Sequence, residues 1–179
     1  LASLVLVLIF YILLQRTTPI SDADTLGSVY FDRLFPLGVE ALLEAVASIR
    51  AGRAPRVPQD EALATYEAPF GRGNARLDWG KPCKQLYDLV RGCDPAPGAW
   101  TTHAGTTLQV VAAAPQPARD VEGLGGAMGE VVDVGDDGFS VVCADGRLRV
   151  LRVRPAGGVK TGAGEWAAQS GLVPGARLK

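Results

Sequence analysis

Four arginines lie within one eight-residue stretch, and they are the residues of this sequence best suited to holding an anion. The stretch RLRVLRVR contains Arg147, Arg149, Arg152 and Arg154, and Lys160 follows it. Guanidinium and ammonium groups spaced along a strand can contact successive phosphates of a nucleic-acid backbone. These five residues are therefore the candidate binding residues of the chain.

The order of apolar residues in the same stretch decides whether the arginines share a face. In a regular strand the first two arginines would face opposite to the last two, because the alternation changes parity between Val150 and Leu151. A β-bulge at this point would bring all four arginines to one face. The competing interpretation is a solvated strand face whose charge is balanced by nearby acids such as Glu130 and Asp133.

The amino-acid composition indicates a folded domain and argues against a disordered or disulfide-bonded chain. The 179 residues include 18 basic and 19 acidic side chains, so any basic surface must be local. With 47% hydrophobic residues the chain can bury a core. Cys83, Cys93 and Cys143 form no CxxC pair, so neither a disulfide framework nor a metal site is predicted. Reduced thiols indicate a cytoplasmic compartment, or that of an organelle.

The N-terminal part of the chain reads as a strand followed by a helix. The apolar run Leu1–Leu14 is shorter than the roughly 20 residues that span a bilayer. We expect Phe10–Leu14 to be a strand buried on both faces, as in a parallel sheet; the alternative is the end of a membrane-spanning helix. Helical spacing from Thr25 to Gly52, interrupted at Pro36, predicts one kinked helix or two abutting helices.

A proline-rich segment divides the chain. Residues 52–62, GRAPRVPQDEA, are mostly polar, which is typical of a semi-extended linker. We therefore assign residues 1–51 and 63–179 to different domains.

The pattern of residues 63–179 indicates a small α+β domain. A strand is predicted at Leu63–Tyr66, an amphipathic helix at 81–91 with Gly92 as its C-terminal cap, and a long mobile loop at 112–127. Further strands and one short helix are predicted at Thr106–Val111, Gly129–Val134, Phe139–Cys143, Arg147–Arg154 and Glu165–Ser170. Hairpin-linked short strands with a small helix favour a small β-barrel of the OB type.

Three strings in this domain resemble the C-terminal domain of the methionyl-tRNA formyltransferase family. They are ARLDWGKP (75–82), LVRGCDPAPGAWT (89–101) and RVRPAGGVKTGAGEW (152–166). The stretch from ILLQ (12–15) to residue 46 is similar to the last strand and helix of that family's catalytic domain. The resemblance implies a C-terminal OB-like β-barrel preceded by the end of a Rossmann-like formyltransferase domain.

The resemblance also implies a division of labour. In that family, an asparagine, a histidine and an aspartate of the N-terminal domain transfer a formyl group from 10-formyltetrahydrofolate, and the C-terminal domain contacts the tRNA. The aspartate loop has no counterpart here, because its place reads LVLIFY (6–11). We therefore expect no catalytic residue, bound cofactor or metal in this chain, weak electrostatic tRNA binding, and a separate N-terminal catalytic domain as partner.

Two other functions fit the same residues. RGCDPAPGAW (91–100) resembles equally well the relatives that hydrolyse or oxidise 10-formyltetrahydrofolate, and others formylate amino-sugar nucleotides; there the barrel is chiefly structural. A non-catalytic module tethered to a membrane is the third hypothesis. Trp79, Trp100 and Trp166 could stack on bases, although packing in the core or at a domain interface is the interpretation we favour. The one histidine, His103, is expected in an exposed turn.

Overall fold

The chain forms two units in the computed structural model, which describes residues 2–8, 11–118 and 125–179. Unit 1 comprises residues 1–69 and unit 2 comprises residues 70–179. Residues 64–70, at the boundary, are exposed and form neither helix nor strand.

Unit 1 contains a three-stranded antiparallel sheet. Strand β1 (Ala2–Leu8) pairs with β2 (Tyr11–Thr18), and the short β3 (Val57–Pro58) pairs with the other edge of β2. The prediction of a parallel strand buried on both faces is therefore wrong, because the two halves of the apolar run pair with each other. In β2, Leu13 is buried whereas Tyr11 is exposed. Phe10 lies outside the described residues.

A helix with one wide turn follows this hairpin. It consists of α1 (Leu26–Val29), a π-helical turn (Tyr30–Leu34) and α2 (Phe35–Arg50) without a break. Pro36 has no N–H to donate, and the helix widens just before it, so that the N–H of Phe35 donates to the carbonyl of Tyr30. The predicted helix is therefore present, and its irregularity before Pro36 is a wide turn within a continuous helix.

Side chains fix the start of this helix. The N–H of Ser28 donates to the hydroxyl of Thr25, and the N–H of Thr25 donates to the hydroxyl of Ser28, each at 3.1 Å. Asp24 forms an ion pair with Arg33, about two turns into the helix. This hydrogen bond from Arg33, followed by backbone N–H donation from Ser21, lowers the pKa of Asp24 well below its ordinary value.

Unit 2 is an antiparallel sheet with two helices. Neighbouring strands in the sheet hydrogen bond to one another in the order β4-β5-β8-β7-β6, and β9 pairs with β8. The elements are α3 (Cys83–Gly92), β4 (Ala99–His103), β5 (Thr106–Pro117), β6 (Val131–Gly135), β7 (Gly138–Cys143), β8 (Gly146–Pro155), β9 (Thr161–Gly162) and α4 (Ala163–Ser170).

The strands of unit 2 do not close into a barrel by their own pairing. Strands β4 and β6 are the two ends of the strand path, and residues 176–179 hydrogen bond to both. The N–H of Val131 donates to the carbonyl of Ala176 at 2.9 Å, and Thr102 and Lys179 exchange two backbone hydrogen bonds. The α+β class is confirmed, and the six-stranded sheet takes the place of the predicted closed barrel.

One core fills unit 2. The amphipathic face of α3 contributes Leu86 and Val90, and the inner face of the sheet contributes fully buried residues such as Phe139 and Leu148. Burying such side chains contributes about 1.5–3 kcal/mol each. The pairing of β6 with β7 around residues 136–137 confirms the hairpin predicted from GDDG.

Three local predictions differ from the structure. Leu63–Tyr66 is not a strand, because a single 3₁₀ turn (Glu61–Leu63) is followed by exposed chain. Residues 112–117 belong to β5 instead of a loop, because their backbone groups pair with the long β8 in spite of a composition poor in strand formers; residues 119–124 lie outside the described part. Gly92 is the last helical residue of α3 and does not have a positive φ.

Among the described residues, no helix has both the length and the apolar character that crossing a membrane requires.

Candidate functional site

Strand β8 carries the four predicted arginines on its outer face. Ala112 pairs with Arg152 and Ala113 pairs with Val150, so Leu151 has no partner on β5 and the register shifts at this point. On the inner face Leu148, Val150 and Val153 are fully buried. The bulge predicted from the parity of the sequence is therefore present, and it keeps the arginines away from the core.

Arg149 is the most buried of the four and is already paired. Its guanidinium forms ion pairs with the carboxylates of Asp133 and Asp137 and donates to the hydroxyl of Ser140 at 3.2 Å. Its exposed fraction is only 9%. Acids on β6 and on the turn between β6 and β7 therefore neutralise this arginine, as the competing interpretation of the sequence expected for Asp133.

The other predicted residues differ in their burial and in the polar groups that their charged side chains contact. The ammonium of Lys160 lies 2.8 Å from a carboxylate oxygen of Asp94. Arg147 is half-buried. Arg152 and Arg154 are exposed, and the Nε of Arg154 donates to the carbonyl of Gly158 at 3.2 Å, which orients its guanidinium.

A second group of basic residues, which sequence analysis missed, surrounds Trp100. The guanidinium carbons of Arg72 and Arg76 lie 5.4 and 5.6 Å from the centre of the Trp100 ring, within the range of cation–π attraction. The indole N–H donates to the carbonyl of Arg72 at 2.8 Å. Trp100 is half-buried and holds these two arginines beside the sheet, whereas Trp79 lies in the core as expected.

Strand pairing places this group next to Arg154. Trp100 pairs with Gln109 on β5, and Gln109 pairs with Arg154 on β8, so the three side chains form one row on the same face. A hollow of about 270 Å³ lies along this row, lined by Arg72, Thr107, Gln109 and Arg154 together with residues 155–157. Two guanidinium groups, a hydroxyl and an amide thus converge on one space suited to an anion.

We call Arg72, Arg76, Trp100, Arg152 and Arg154 the arginine–tryptophan surface. Within the described part of the chain, none of its four arginines forms an ion pair with a carboxylate. Their positive charges therefore remain to attract an anionic partner, unlike those of Arg149 and Lys160.

The remaining basic residues weighed from the sequence have local partners. The ammonium of Lys84 and the Nε of Arg91 each lie 2.7 Å from the carboxylate of Asp88 on the same helix. Burial alone would raise the pKa of Asp88, but hydrogen bonds from these two cations more than offset this effect and lower it. This confirms the predicted i, i+4 pair of Lys84 and Asp88.

His103 ends β4 instead of lying in the turn. Its ring packs edge-on against Trp166 with 5.7 Å between ring centres, and the turn is formed by Ala104 and Gly105, both with positive φ. A two-residue turn that matches the strand twist requires positive φ at both positions, so the turn imposes on Ala104 a conformation that non-glycine residues rarely adopt.

Burial determines the protonation state of the three cysteine thiols. It raises the pKa of Cys143 to about 12 and also raises the pKa of Cys83 and Cys93. At neutral pH all three are therefore protonated, and their intrinsic reactivity as nucleophiles is low.

Comparison with known proteins identifies the family to which this architecture belongs. The model of the formyl transferase C-terminal domain family matches residues 71–171, which is more than half of the chain. The chain belongs to the formyltransferase C-terminal domain family. The matched region covers α3, the whole sheet and α4, and it includes all five members of the arginine–tryptophan surface.

Methionyl-tRNA formyltransferases are similar to this chain over most of its length. The enzyme of Moorella thermoacetica is 40% identical over 146 residues, which is 82% of this chain and 45% of that enzyme. The enzyme of Heliobacterium modesticaldum is 34% identical over 170 residues, 93% of this chain and 54% of that enzyme. The chain thus spans about half the length of these curated relatives.

Solved structures share the fold. HypX from Aquifex aeolicus in complex with tetrahydrofolic acid superimposes with a TM-score of 0.66 at 22% identity, over 89% of this chain and 27% of HypX. A multiply substituted HypX variant gives a TM-score of 0.68 at 23% identity. At this level of identity the likeness concerns the fold alone.

Proposed function

We propose that this chain is the C-terminal part of an enzyme that transfers the formyl group of 10-formyltetrahydrofolate to the amine of an aminoacyl-tRNA, and that unit 2 binds the tRNA. The observation that carries the proposal is the arginine–tryptophan surface, whose arginines have no carboxylate partner among the described residues. The relatives named methionyl-tRNA formyltransferase support tRNA as the acceptor.

The chemistry of this surface fits a phosphate backbone. Arginine binds phosphate through two parallel N–H groups, and the exposed Arg152 and Arg154 are two residues apart on one strand face. Arg72 and Arg76 extend the same positive region beyond β4, held there by the Trp100 ring. These contacts position a nucleic acid without reading its sequence.

The five residues predicted from the sequence take different roles in this proposal. Arg152 and Arg154 contact phosphate directly. Arg149 and Lys160 already bind carboxylates, so we assign them to holding the face in shape, together with the half-buried Arg147. This face has one arginine neutralised by carboxylates and two arginines without a carboxylate partner among the described residues, so we expect it to bind tRNA weakly. A catalytic domain that holds the same tRNA would strengthen this binding.

Binding should respond to salt in proportion to the phosphates neutralised. With four contacts, the affinity should fall by about 50–150-fold between roughly 50 and 200 mM salt. A labelled tRNA titrated with the chain in a fluorescence anisotropy experiment measures this slope. The double variant R152A/R154A should lower the slope by about 2, because each lost contact removes close to one unit.

Lys84→Ala is the matched control. Lys84 is also an exposed cation of unit 2, but its charge is balanced by Asp88 on the same helix. It should leave both the affinity and the salt slope unchanged. A slope that stays the same in R152A/R154A, or that falls equally in K84A, contradicts phosphate contact through the arginine–tryptophan surface.

If the chain does not bind tRNA even at low salt, a second candidate function is favoured. In that case unit 2 is a structural domain of an enzyme that hydrolyses or oxidises 10-formyltetrahydrofolate, or that formylates an amino sugar. The observation that keeps this candidate is the fold shared with HypX, one structure of which holds tetrahydrofolic acid.

We further propose that unit 1 is the end of a Rossmann-like catalytic domain, and that this domain supplies the folate site and the groups that transfer the formyl group. An apolar face of α2 supports this: Val39, Leu42, Leu43 and Val46 follow helical spacing and are 39–67% exposed. Soluble proteins rarely leave such an apolar stripe exposed to water, so another surface is expected to cover it.

An extended chain tests this proposal. Leu43→Glu should lower the solubility and formylation activity of a protein that includes the N-terminal half found in the relatives, because the charge would be buried at the covered face. In the present chain the same substitution should lower binding of a hydrophobic dye. An extended protein that tolerates Leu43→Glu without change would contradict the packing of this face.

A further inference from the structure

A cluster of two thiols and a carboxylate is brought together on the side of unit 2 where α3 begins. The Sγ atoms of Cys83 and Cys143 and a carboxylate oxygen of Asp145 all lie within 4.8 Å of one another. Cys83 is the first residue of α3, whereas Cys143 ends β7 and Asp145 lies in the turn before β8. This cluster has no part in the proposed tRNA binding.

Hydrogen bonds hold the cluster in place. The N–H of Cys83 donates to Oδ1 of Asp145 at 2.6 Å, which caps the start of α3 from a residue 62 positions away. The N–H of Ala144 donates to the carbonyl of Lys81 at 3.2 Å, and the N–H of Ala118 donates to the carbonyl of Asp145 at 2.9 Å. The turn between β7 and β8 is therefore fixed against both α3 and the end of β5.

We propose that Cys83, Cys143 and Asp145 form a binding site for a thiophilic divalent cation of the zinc and cadmium class. Tetrahedral coordination with metal–sulfur bonds of about 2.3 Å and metal–oxygen bonds of about 2.0–2.2 Å places ligand atoms roughly 3.5–3.8 Å apart. The three ligand atoms need to move by only about 1 Å to reach it. Two sulfur ligands select against calcium and magnesium, which take oxygen ligands.

The environment provides an entry path. Both thiols are buried, at 2% exposure each, whereas Asp145 is exposed. A cation can therefore reach the sulfur atoms from the Asp145 side, and water can occupy the fourth position, as in open zinc sites.

Metal binding displaces the two thiol protons. The cation forms two metal–thiolate bonds, both S–H bonds break, and two protons pass to the buffer. Affinity should therefore rise by about 100-fold for each unit of pH between about pH 6 and 8, since two protons are released for each cation bound.

Titration of the whole chain with Cd²⁺ alone, under reducing conditions, tests the site. Cadmium bound to thiolate absorbs in the ultraviolet, and we expect this band to saturate at one cation per chain. Cys83→Ala and Cys143→Ala should each abolish the band. Asp145→Asn, which can still accept the hydrogen bond from the N–H of Cys83, should weaken binding by about 10-fold or more.

Cys93 is the matched control. It is a third buried thiol of unit 2 that does not belong to the cluster, so Cys93→Ala should keep the band and its affinity. Tryptophan fluorescence of each variant separates loss of the site from loss of the fold, and Asp145→Asn, altered at an exposed position, gives a reading even where a cysteine variant unfolds. Absence of a band in the unmodified chain, a band that survives Cys143→Ala, or one that requires Cys93 would overturn the proposal.

Discussion

The two units of this chain bury their apolar residues to very different degrees. The described residues of unit 2 form one core of 21 buried residues, including large side chains such as Phe139, Leu77 and Leu148. In unit 1 the buried hydrophobic residues of the described side chains are Leu13, Val29, Ala41 and Ala45, and the larger aromatic and aliphatic residues point outward. Unit 2 therefore buries a core of the kind that an independent domain needs, whereas unit 1 leaves much of its apolar surface exposed, in agreement with our proposal that it is the end of a larger domain.

The exposed residues of unit 1 form a pattern and are not scattered. Phe31, Phe35 and Leu43 are 57–67% exposed, and they lie on the same interrupted helix. The buried residues of that helix are Val29, Ala41 and Ala45, and alanine side chains bury little apolar area. We infer that unit 2 contributes most of the stability of the chain, and four predictions follow from this difference.

The largest expected effect is a difference between two leucines. Leu148→Ala removes a fully buried side chain from unit 2 and should lower the free energy of unfolding by about 2–5 kcal/mol. Leu43→Ala, at a residue 67% exposed in unit 1, should change it by no more than about 0.5 kcal/mol. Urea unfolding followed by tryptophan fluorescence measures the stability of unit 2, to which Trp79, Trp100 and Trp166 all belong, and circular dichroism at helical wavelengths follows the helix of unit 1 in the same titration. Equal effects of the two substitutions would contradict the comparison.

A glycine of the unit 2 sheet gives the next largest effect. Gly138 has φ of +149°, and a Cβ there would lie 2.0 Å from the carbonyl oxygen of Val150. Gly138→Ala should therefore destabilise unit 2 by about 1–3 kcal/mol. Gly92→Ala is the control, since no atom lies within 4 Å of its Cβ position, and it should be neutral or slightly stabilising. Thermal unfolding of the two variants decides the point.

Alkaline conditions should affect unit 2. Burial raises the pKa of Cys143 to about 12 from its ordinary value of 9.0, so the folded state binds this proton more tightly than the unfolded state. The resulting stability is fully present below about pH 9 and is lost as the pH rises towards 12. Cys143→Ala should flatten this decline in unfolding experiments on unit 2 tryptophans. A decline of the same steepness in Cys143→Ala would exclude Cys143 as its source.

Acid conditions should affect unit 1, with a smaller change. The hydrogen bond from Arg33 is the main cause of the lowered pKa of Asp24, so the unfolded state binds this proton more tightly than the folded state. The stabilisation of the helix start is present above about pH 4 and is lost as the pH falls below it. Circular dichroism at helical wavelengths between pH 5 and pH 2 should show the loss, and Asp24→Asn should show it already at pH 7. An acid transition that Asp24→Asn leaves unchanged, with full helix signal at pH 7, would contradict this assignment.

Local patterns in the sequence predicted several elements because their cause lies within a few residues. The face of α3 follows from the spacing of Cys83, Leu86 and Val90, and the hairpin of β6 and β7 follows from its turn residues. The bulge at Leu151 was predicted for a similar reason, since a change in alternation along one strand must be absorbed locally or turn arginines into the core.

The family, the type of most elements of unit 2 and the outward direction of the arginines follow from the amino-acid sequence alone. Which arginines lack a carboxylate partner depends on the folded chain, because Arg149 meets Asp133 through strand pairing and Arg72 reaches Trp100 across 28 positions. The same holds for Cys83 and Cys143, and for the antiparallel pairing of β1 with β2. The physical reason is that periodicity sets which side of an element is apolar, whereas the neighbour that a polar side chain meets depends on contacts between distant segments.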